Sequence, residues 1–197
     1  MSTEMSQAPI KLSVDNFGVA TVLIDNAPKG NAFDDSIISS LTNTFVDIES
    51  RSDVRVMILA SVGKHFCTGA DLNWMRRMID YDLEENLIDA RRLATMFSTL
   101  NNLSIPTIAR IQGACYGGAV GLASCCDMAV ATTNASFSLS EVKIGLIPAT
   151  ISPYVIAAIG ERAARRYFNT AEVIPSHDAE RIGLVSHLCE PESLDTT

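Results

Sequence analysis

The sequence predicts an α/β protein in which strands alternate with helices, and three observations carry that reading. The segment 54–61, VRVMILAS, is a nearly continuous apolar run rich in β-branched residues, as a parallel strand buried on both faces requires. Ahead of it, Ile37, Leu41, Phe45 and Ile48 recur at helical spacing. Two glycine-bearing loops, 63–71 and 113–118, stand where strand-like runs give way to helix-compatible ones, the place where open α/β sheets carry their functional loops.

Taken in order, 11–25 reads as two short strands around Asn16-Phe17-Gly18, a hairpin. NAPKGN (26–31) is a turn, followed by the helix over 36–48 and the strand over 54–61. GKHFCTGAD (63–71) is a loop whose Asp71 caps a helix beginning at Leu72, with the helical pattern continuing or resuming through Leu87, Leu93, Met96, Phe97 and Leu100. A strand over 104–112 leads into the glycine cluster and a short buried helix. Strands over 128–132 and 136–139, helices over 151–159 and 161–168, a short helix over 178–183 and a strand over 184–188 complete the series. One domain over 10–190 is expected, with 1–9 and 191–197 as polar tails and no closing element after 190.

The chain of 197 residues, 47% apolar and 19% charged, is a soluble globular composition with material for one core. A net charge of −8 and the lack of a Lys/Arg-rich run argue against a nucleic-acid surface, which rests on neutralising phosphates. Five cysteines, odd in number and without C-x-x-C spacing, read as free thiols in a reducing cytosol. The start lacks a signal or transit pattern, and no apolar run reaches the roughly 20 residues of a membrane-spanning helix. A cytoplasmic protein with no membrane partner is the expectation. His65, His177 and His187 complete no metal-ligand pattern, so no metal is assigned; the serine-hydrolase elbow and the phosphate-binding loop are also absent.

The chemistry concentrates in 108–127, IARIQGACYGGAVGLASCCD, which holds four of the eleven glycines at a strand-to-helix junction. Such a junction leaves amide N–H groups free for an oxygen carrying negative charge. The segment 135–148, ASFSLSEVKIGLIP, adds one carboxylate, Glu141. An amide trap beside a carboxylate outlines carbonyl or thioester enolate chemistry.

Three blocks in register, HFCTGADL (65–72), QGACYGGAVGLASCCD (112–127) and SFSLSEVKIGLIP (136–148), resemble the signature blocks of the crotonase, or enoyl-CoA hydratase/isomerase, family. The resemblance spans about Ile10 to Glu190. It implies a ββα spiral, trimers or hexamers, and a coenzyme A thioester as substrate, with coenzyme A entering only as part of that substrate and no separate cofactor. Family members typically continue through C-terminal helices that this chain largely lacks.

By the same resemblance, the amides of Cys67 and Gly118 hold the thioester oxygen and Glu141 exchanges the α-proton. Substrate-facing positions fall at Lys29, Asn31, Ala32, Gly69, Ala70, Asp71, Leu72, Tyr116, Gly117 and Gly121, with Lys29 a candidate for phosphate. Trp74, Met75 and Met78 are candidates for the acyl cavity, and Asp71 is also read as a helix cap. Typical hydratases carry a second glutamate, and its position here is Gly121. GGAVGLASCCDMAV, LSEVKIGLIPATISPYV and AIGERAARRYF resemble the bacterial methylglutaconyl-CoA hydratase group. Hydration of an enoyl-CoA is therefore the leading expectation. A Δ3,Δ2-enoyl-CoA isomerase using one glutamate and a non-catalytic acyl-CoA-binding or scaffold member are the alternatives.

Overall fold

The computed structural model describes residues 9–197, so all but the last residue of the tail read over 1–9 lies outside the described residues. Strands β1 (Ile10–Val14) and β2 (Val19–Ile24) form an antiparallel hairpin in which Ile10 faces Ile24 and Val14 faces Ala20. From β2 onward the sheet is parallel: β3 (Val56–Ser61), β4 (Thr107–Ile111), β6 (Met128–Thr132) and β9 (His187–Cys189) add in the order β1-β2-β3-β4-β6-β9. Alternate residues of β2, Ala20, Val22 and Ile24, are fully buried, as a strand with one face on the core demands.

The core face is covered by α1 (Asp35–Glu49) and α3 (Leu83–Asn101). Helix α1 buries Ile37, Ile38, Leu41, Phe45 and Ile48, and Asp34 caps it by accepting from the Ile37 amide at 2.9 Å. The long pattern after Leu72 resolves into α2 (Leu72–Arg77), a single turn, and then α3. Asp82 starts α3 with a reciprocal capping box, its side chain bonded to the Glu85 amide and Glu85 bonded back.

A second, smaller sheet holds β5 (Ala114–Tyr116), β7 (Ser136–Ser138) and β8 (Ile174–Pro175), with α4 (Gly118–Cys125) springing from β5. Sequence pattern missed β5 and β8. Three residues flanked by glycines carry no readable alternation, and β8 is two residues long. Helix α5 (Ser152–Thr170) is broken at Gly160, whose φ of 77° is open to glycine, so the two helices read over 151–159 and 161–168 lie end to end.

The last helix, α6 (Ser176–Arg181), sits slightly earlier than the pattern placed it, and the strand read over 184–188 starts instead at His187. Leu184 and Val185 are buried in the turn, their amides both donating to the Ala179 carbonyl, which gives an apolar run without extended pairing. Residues 191–197, read as a polar tail, include a 3-10 turn at Pro191–Ser193, a buried Leu194, and Asp195 paired with Arg110.

Candidate active site

The loop after β3 and the strand β5 lie side by side and share a short ladder of backbone bonds. Phe66 N–H donates to the Gln112 carbonyl at 2.7 Å, Cys67 N–H to the Ala114 carbonyl at 3.1 Å, and Tyr116 N–H to the Cys67 carbonyl at 3.0 Å. This overturns the assignment of Cys67 as an oxyanion donor: its amide is already committed to β5, and an amide bonded inside a ladder faces away from any ligand. The side chain is buried too. Its Sγ accepts from the Gly69 amide at 3.4 Å, and burial pushes the thiol up to about 12.

Three residues on, the pattern changes. Phe33 N–H donates to the Gly69 carbonyl at 2.8 Å and Asp71 N–H to the Phe33 carbonyl at 2.6 Å, a bridge in which Ala70 is the residue paired with Phe33. Between those two bonds, Ala70 N–H has no partner among the described residues. Residues of a strand-like bridge point their amides to alternate sides, which leaves this one on the side opposite Phe33.

The second unpartnered amide belongs to Gly118. Gly117 precedes α4 with φ 55° and ψ −123°, a conformation that a side chain would oppose, and its N–H is held by the Ser138 carbonyl at 2.8 Å. The chain then turns directly into the helix, so Gly118 N–H is one of the orphan donors of an N-terminus and has no partner among the described residues. Helix α4 adds its positive dipole end at that point.

Glu141 completes the set. It opens a 3-10 turn, Glu141–Ile144, after β7, and a Cβ placed on Gly117 would lie 3.4 Å from Glu141 Oε1 and 4.0 Å from Gly69 Cα. The carboxyl, the glycine turn and the 69–70 loop therefore converge. Glu141 Oε2 is buried and has no hydrogen-bond partner. Burial holds the carboxyl above the usual carboxylate range, with a bond from its own amide pulling weakly the other way. A desolvated carboxylate with one free oxygen is a proton acceptor in waiting.

Opposite the entrance of α4, Gly121 is walled in. A Cβ there would lie 2.3 Å from Ile151 Cγ2, 2.9 Å from Ile151 Cβ and 2.9 Å from Phe97 Cε1. Phe97 and Ile151 read from sequence only as parts of helices, and their meeting at Gly121 is not foreseeable there, because a contact between segments far apart in the chain leaves no local pattern.

The other expected residues fall into two groups. Gly69 and Gly117 lie at the convergence described above. Lys29 lies in the turn Ala27–Lys29, half-exposed, with its Nζ 3.2 Å from Asp71 Oδ2. Asp71 is buried and caps α2 through Oδ1, which accepts from Asn73 N at 2.8 Å and Trp74 N at 3.0 Å; these bonds and Lys29 hold its carboxyl below the ordinary range. Asn31, at φ 56° and 1% exposed, has a fully bonded side chain: Nδ2 donates to the Val62 and His65 carbonyls, both at 2.8 Å, and Oδ1 accepts from Asn26 N at 2.9 Å. It shapes the site without facing it. Ala32 is buried, Leu72 is 70% exposed, and the Tyr116 hydroxyl bonds Ser136 Oγ at 3.0 Å. Trp74 is buried with Nε1 donating to Asp89 at 3.3 Å. Among the described residues no helix is long and apolar enough to cross a membrane.

Comparison with known proteins places the fold and the family. The family model for enoyl-CoA hydratase/isomerase matches residues 15–197. An enoyl-CoA hydratase of Alternaria alternata is 34% identical over 172 residues, covering 85% of this chain and 54% of its own length. Human mitochondrial methylglutaconyl-CoA hydratase is 30% identical over 192 residues, covering 96% and 56%. The chain thus spans about half the length of both relatives. Among solved structures, an enoyl-CoA hydratase of Shewanella pealeana superposes with a TM-score of 0.93 at 42% identity, over 95% of this chain and 70% of that one. An enoyl-CoA hydratase of Mycobacterium smegmatis superposes with a TM-score of 0.92 at 29% identity, over 96% and 73%. With a matching family model across nearly its whole length and the crotonase fold in its sheet order and neighbours, the chain belongs to the enoyl-CoA hydratase/isomerase family.

Proposed function

We propose that the site hydrates an α,β-unsaturated acyl-CoA, or runs the reverse dehydration, with the thioester oxygen held by the amides of Ala70 and Gly118. The observation that carries this reading is the meeting of Glu141, whose buried Oε2 has no hydrogen-bond partner, with two unpartnered amides on the adjoining loops. As water adds to the β-carbon, the Glu141 carboxylate takes one of its protons. The electron pair of the double bond moves onto the thioester oxygen as an enolate, which the amides and the α4 dipole stabilise. Glu141 then returns the proton to the α-carbon, so the elements of water are added and the carboxylate is regenerated. Removing one such donor typically costs ~2.7–4 kcal/mol of transition-state stabilisation.

The resemblance to methylglutaconyl-CoA hydratases makes 3-methylglutaconyl-CoA the first substrate to try, beside crotonyl-CoA. Turnover of either with intact protein supports the proposal. Binding of both without hydration of either overturns it.

The packing at Gly121 favours a second reading. Ile151 and Phe97 occupy the space where another carboxylate would stand, and one carboxylate is sufficient to move a proton between two carbons, as Δ3,Δ2-enoyl-CoA isomerisation requires. Deuterium uptake from D2O at the α-carbon with a shifted double bond and no hydrated product identifies that activity. Assembly into trimers or hexamers belongs to the same proposal and is read by sedimentation of the full chain.

A further inference from the structure

The ladder between the 63–71 loop and β5 contains one bond that is not made between backbone groups. Ala114 N–H, on a residue only 6% exposed, donates to His65 Nδ1 at 3.1 Å. The carbonyls of Gln112 and Ala114 and the Tyr116 amide pair with backbone of residues 66 and 67, so the imidazole stands in for a missing carbonyl at the start of β5. The fit around it is close: a Cβ on Gly113 would lie 2.9 Å from Nδ1 and 2.1 Å from the Lys64 carbonyl. The His65 carbonyl is anchored in turn by Asn31 Nδ2 at 2.8 Å and Ser61 Oγ at 3.1 Å. One residue therefore ties the 26–31 turn, the end of β3 and β5 together.

We propose that His65 is a positioning residue that must be neutral, with its proton on Nε2, for the Gly118 amide to be held in place. An amide N–H is a donor only, so the bond requires a lone pair on Nδ1. A second proton on the ring puts two donors face to face and leaves a buried amide without its acceptor. β5 keeps its pairing with β7 but loses one of its ties to the 63–71 loop, and two residues beyond its end stands Gly118. The inference rests on the role given to Gly118 above.

Other ionisable groups stand around the ring. The cavity that His65 lines also holds Lys64 and Arg110, and Arg110 is paired with Asp195. On the facing ladder stand Cys67 and Cys115, whose thiols burial keeps neutral.

The test is a pH titration followed by NMR in the Glu141→Gln background, which removes the titration of that carboxyl. The imidazole nitrogen signals are expected to show Nε2 protonated at neutral pH, and the Ala114 and Gly118 amide signals to shift with the same midpoint as the His65 ring. His65→Asn, whose side-chain oxygen stands near the place of Nδ1 and accepts at every pH, should leave those amides unshifted. In the wild-type background it should retain turnover at neutral pH while removing one step from the acid side of the rate profile. His65→Leu, with no acceptor, should lose turnover roughly tenfold or more, the scale on which misplacing a catalytic group is felt. A Gly118 amide that ignores the His65 midpoint, or that shifts equally in His65→Asn, overturns the proposal. If the variants do not fold, the titration of the His65-containing protein decides alone. Because the amide signals need no substrate, this result stands apart from whether any enoyl-CoA is turned over.

Discussion

Glu141 Oε1 lies directly over Gly117, 3.4 Å from where a β-carbon would be, and this contact puts the carboxyl beside the amide of the next residue, Gly118. The carboxyl thus depends on glycine for the turn, since φ 55° opposes a side chain, while a β-carbon alone would meet Oε1 at ordinary contact distance.

Replacement of Glu141 by Gln is expected to abolish turnover and raise stability at neutral pH. The native carboxyl is raised by burial, so the folded state binds its proton more readily than the unfolded chain. Its effect on stability is then least unfavourable below the unfolded value, and the penalty of the buried charge develops as pH rises through the folded one. Thermal melts of both proteins from acid to neutral pH check this. The difference should widen with pH, at roughly 2–4 °C per kcal/mol for a chain of this size.

At Gly121, even a methyl group should be costly. The clash is with Ile151 Cβ as well as its terminal carbon, so a rotamer change gives only part of the relief. Gly121→Ala is expected to lose about 1–3 kcal/mol, measured by denaturant unfolding. Ile151→Ala alone should also destabilise, yet the double variant should lose less than the sum, because each change fills the other's defect.

Asp71 joins a cap and an ion pair, and the two differ in weight. Asp71→Ala should cost ~0.5–2 kcal/mol through loss of the α2 cap, whereas Lys29→Ala should fall within the ~0–1 kcal/mol of an exposed pair. Because the Asp71 carboxyl is lowered, first by the Trp74 amide and then with help from Lys29, its contribution is present above the ordinary carboxylate value and is lost as pH falls through the folded one. Urea melts at neutral and acid pH separate the two variants.

Asn31 offers the sharpest ranking. Asn31→Ala removes three hydrogen bonds and forces alanine into φ 56°, for an expected loss of roughly 2–4 kcal/mol. Asn31→Asp should be worse, since it turns a carboxylate toward the Val62 and His65 carbonyls. Equal melting temperatures for the two would contradict the bonding described.

Much of this was readable from residues. The strand over 54–61 declares itself because burial on both faces leaves no polar position, and the helix over 36–48 because one face must meet that sheet. The convergence of the two glycine loops on Glu141 was also readable, through three motif blocks in register. The donor on the first loop was not. Whether Cys67 or Ala70 has a free amide depends on which residues face Ala114 and Phe33 across the fold, and no local pattern encodes that. The same holds for Gly121, whose neighbours come from α3 and the start of α5, and for His65, whose partner lies 49 positions away.

The ladder that joins 66–67 to 112–116 is made of main-chain atoms, His65 excepted. A scaffold of that kind is indifferent to most side chains that hang from it, so the polarised pocket it frames can be inherited intact while the residues around it are exchanged. If the proposed enolate chemistry holds, new reactions then require no new frame: a change at a position such as 121 or 141 would alter which proton moves, with the trap for the charge it leaves behind already built.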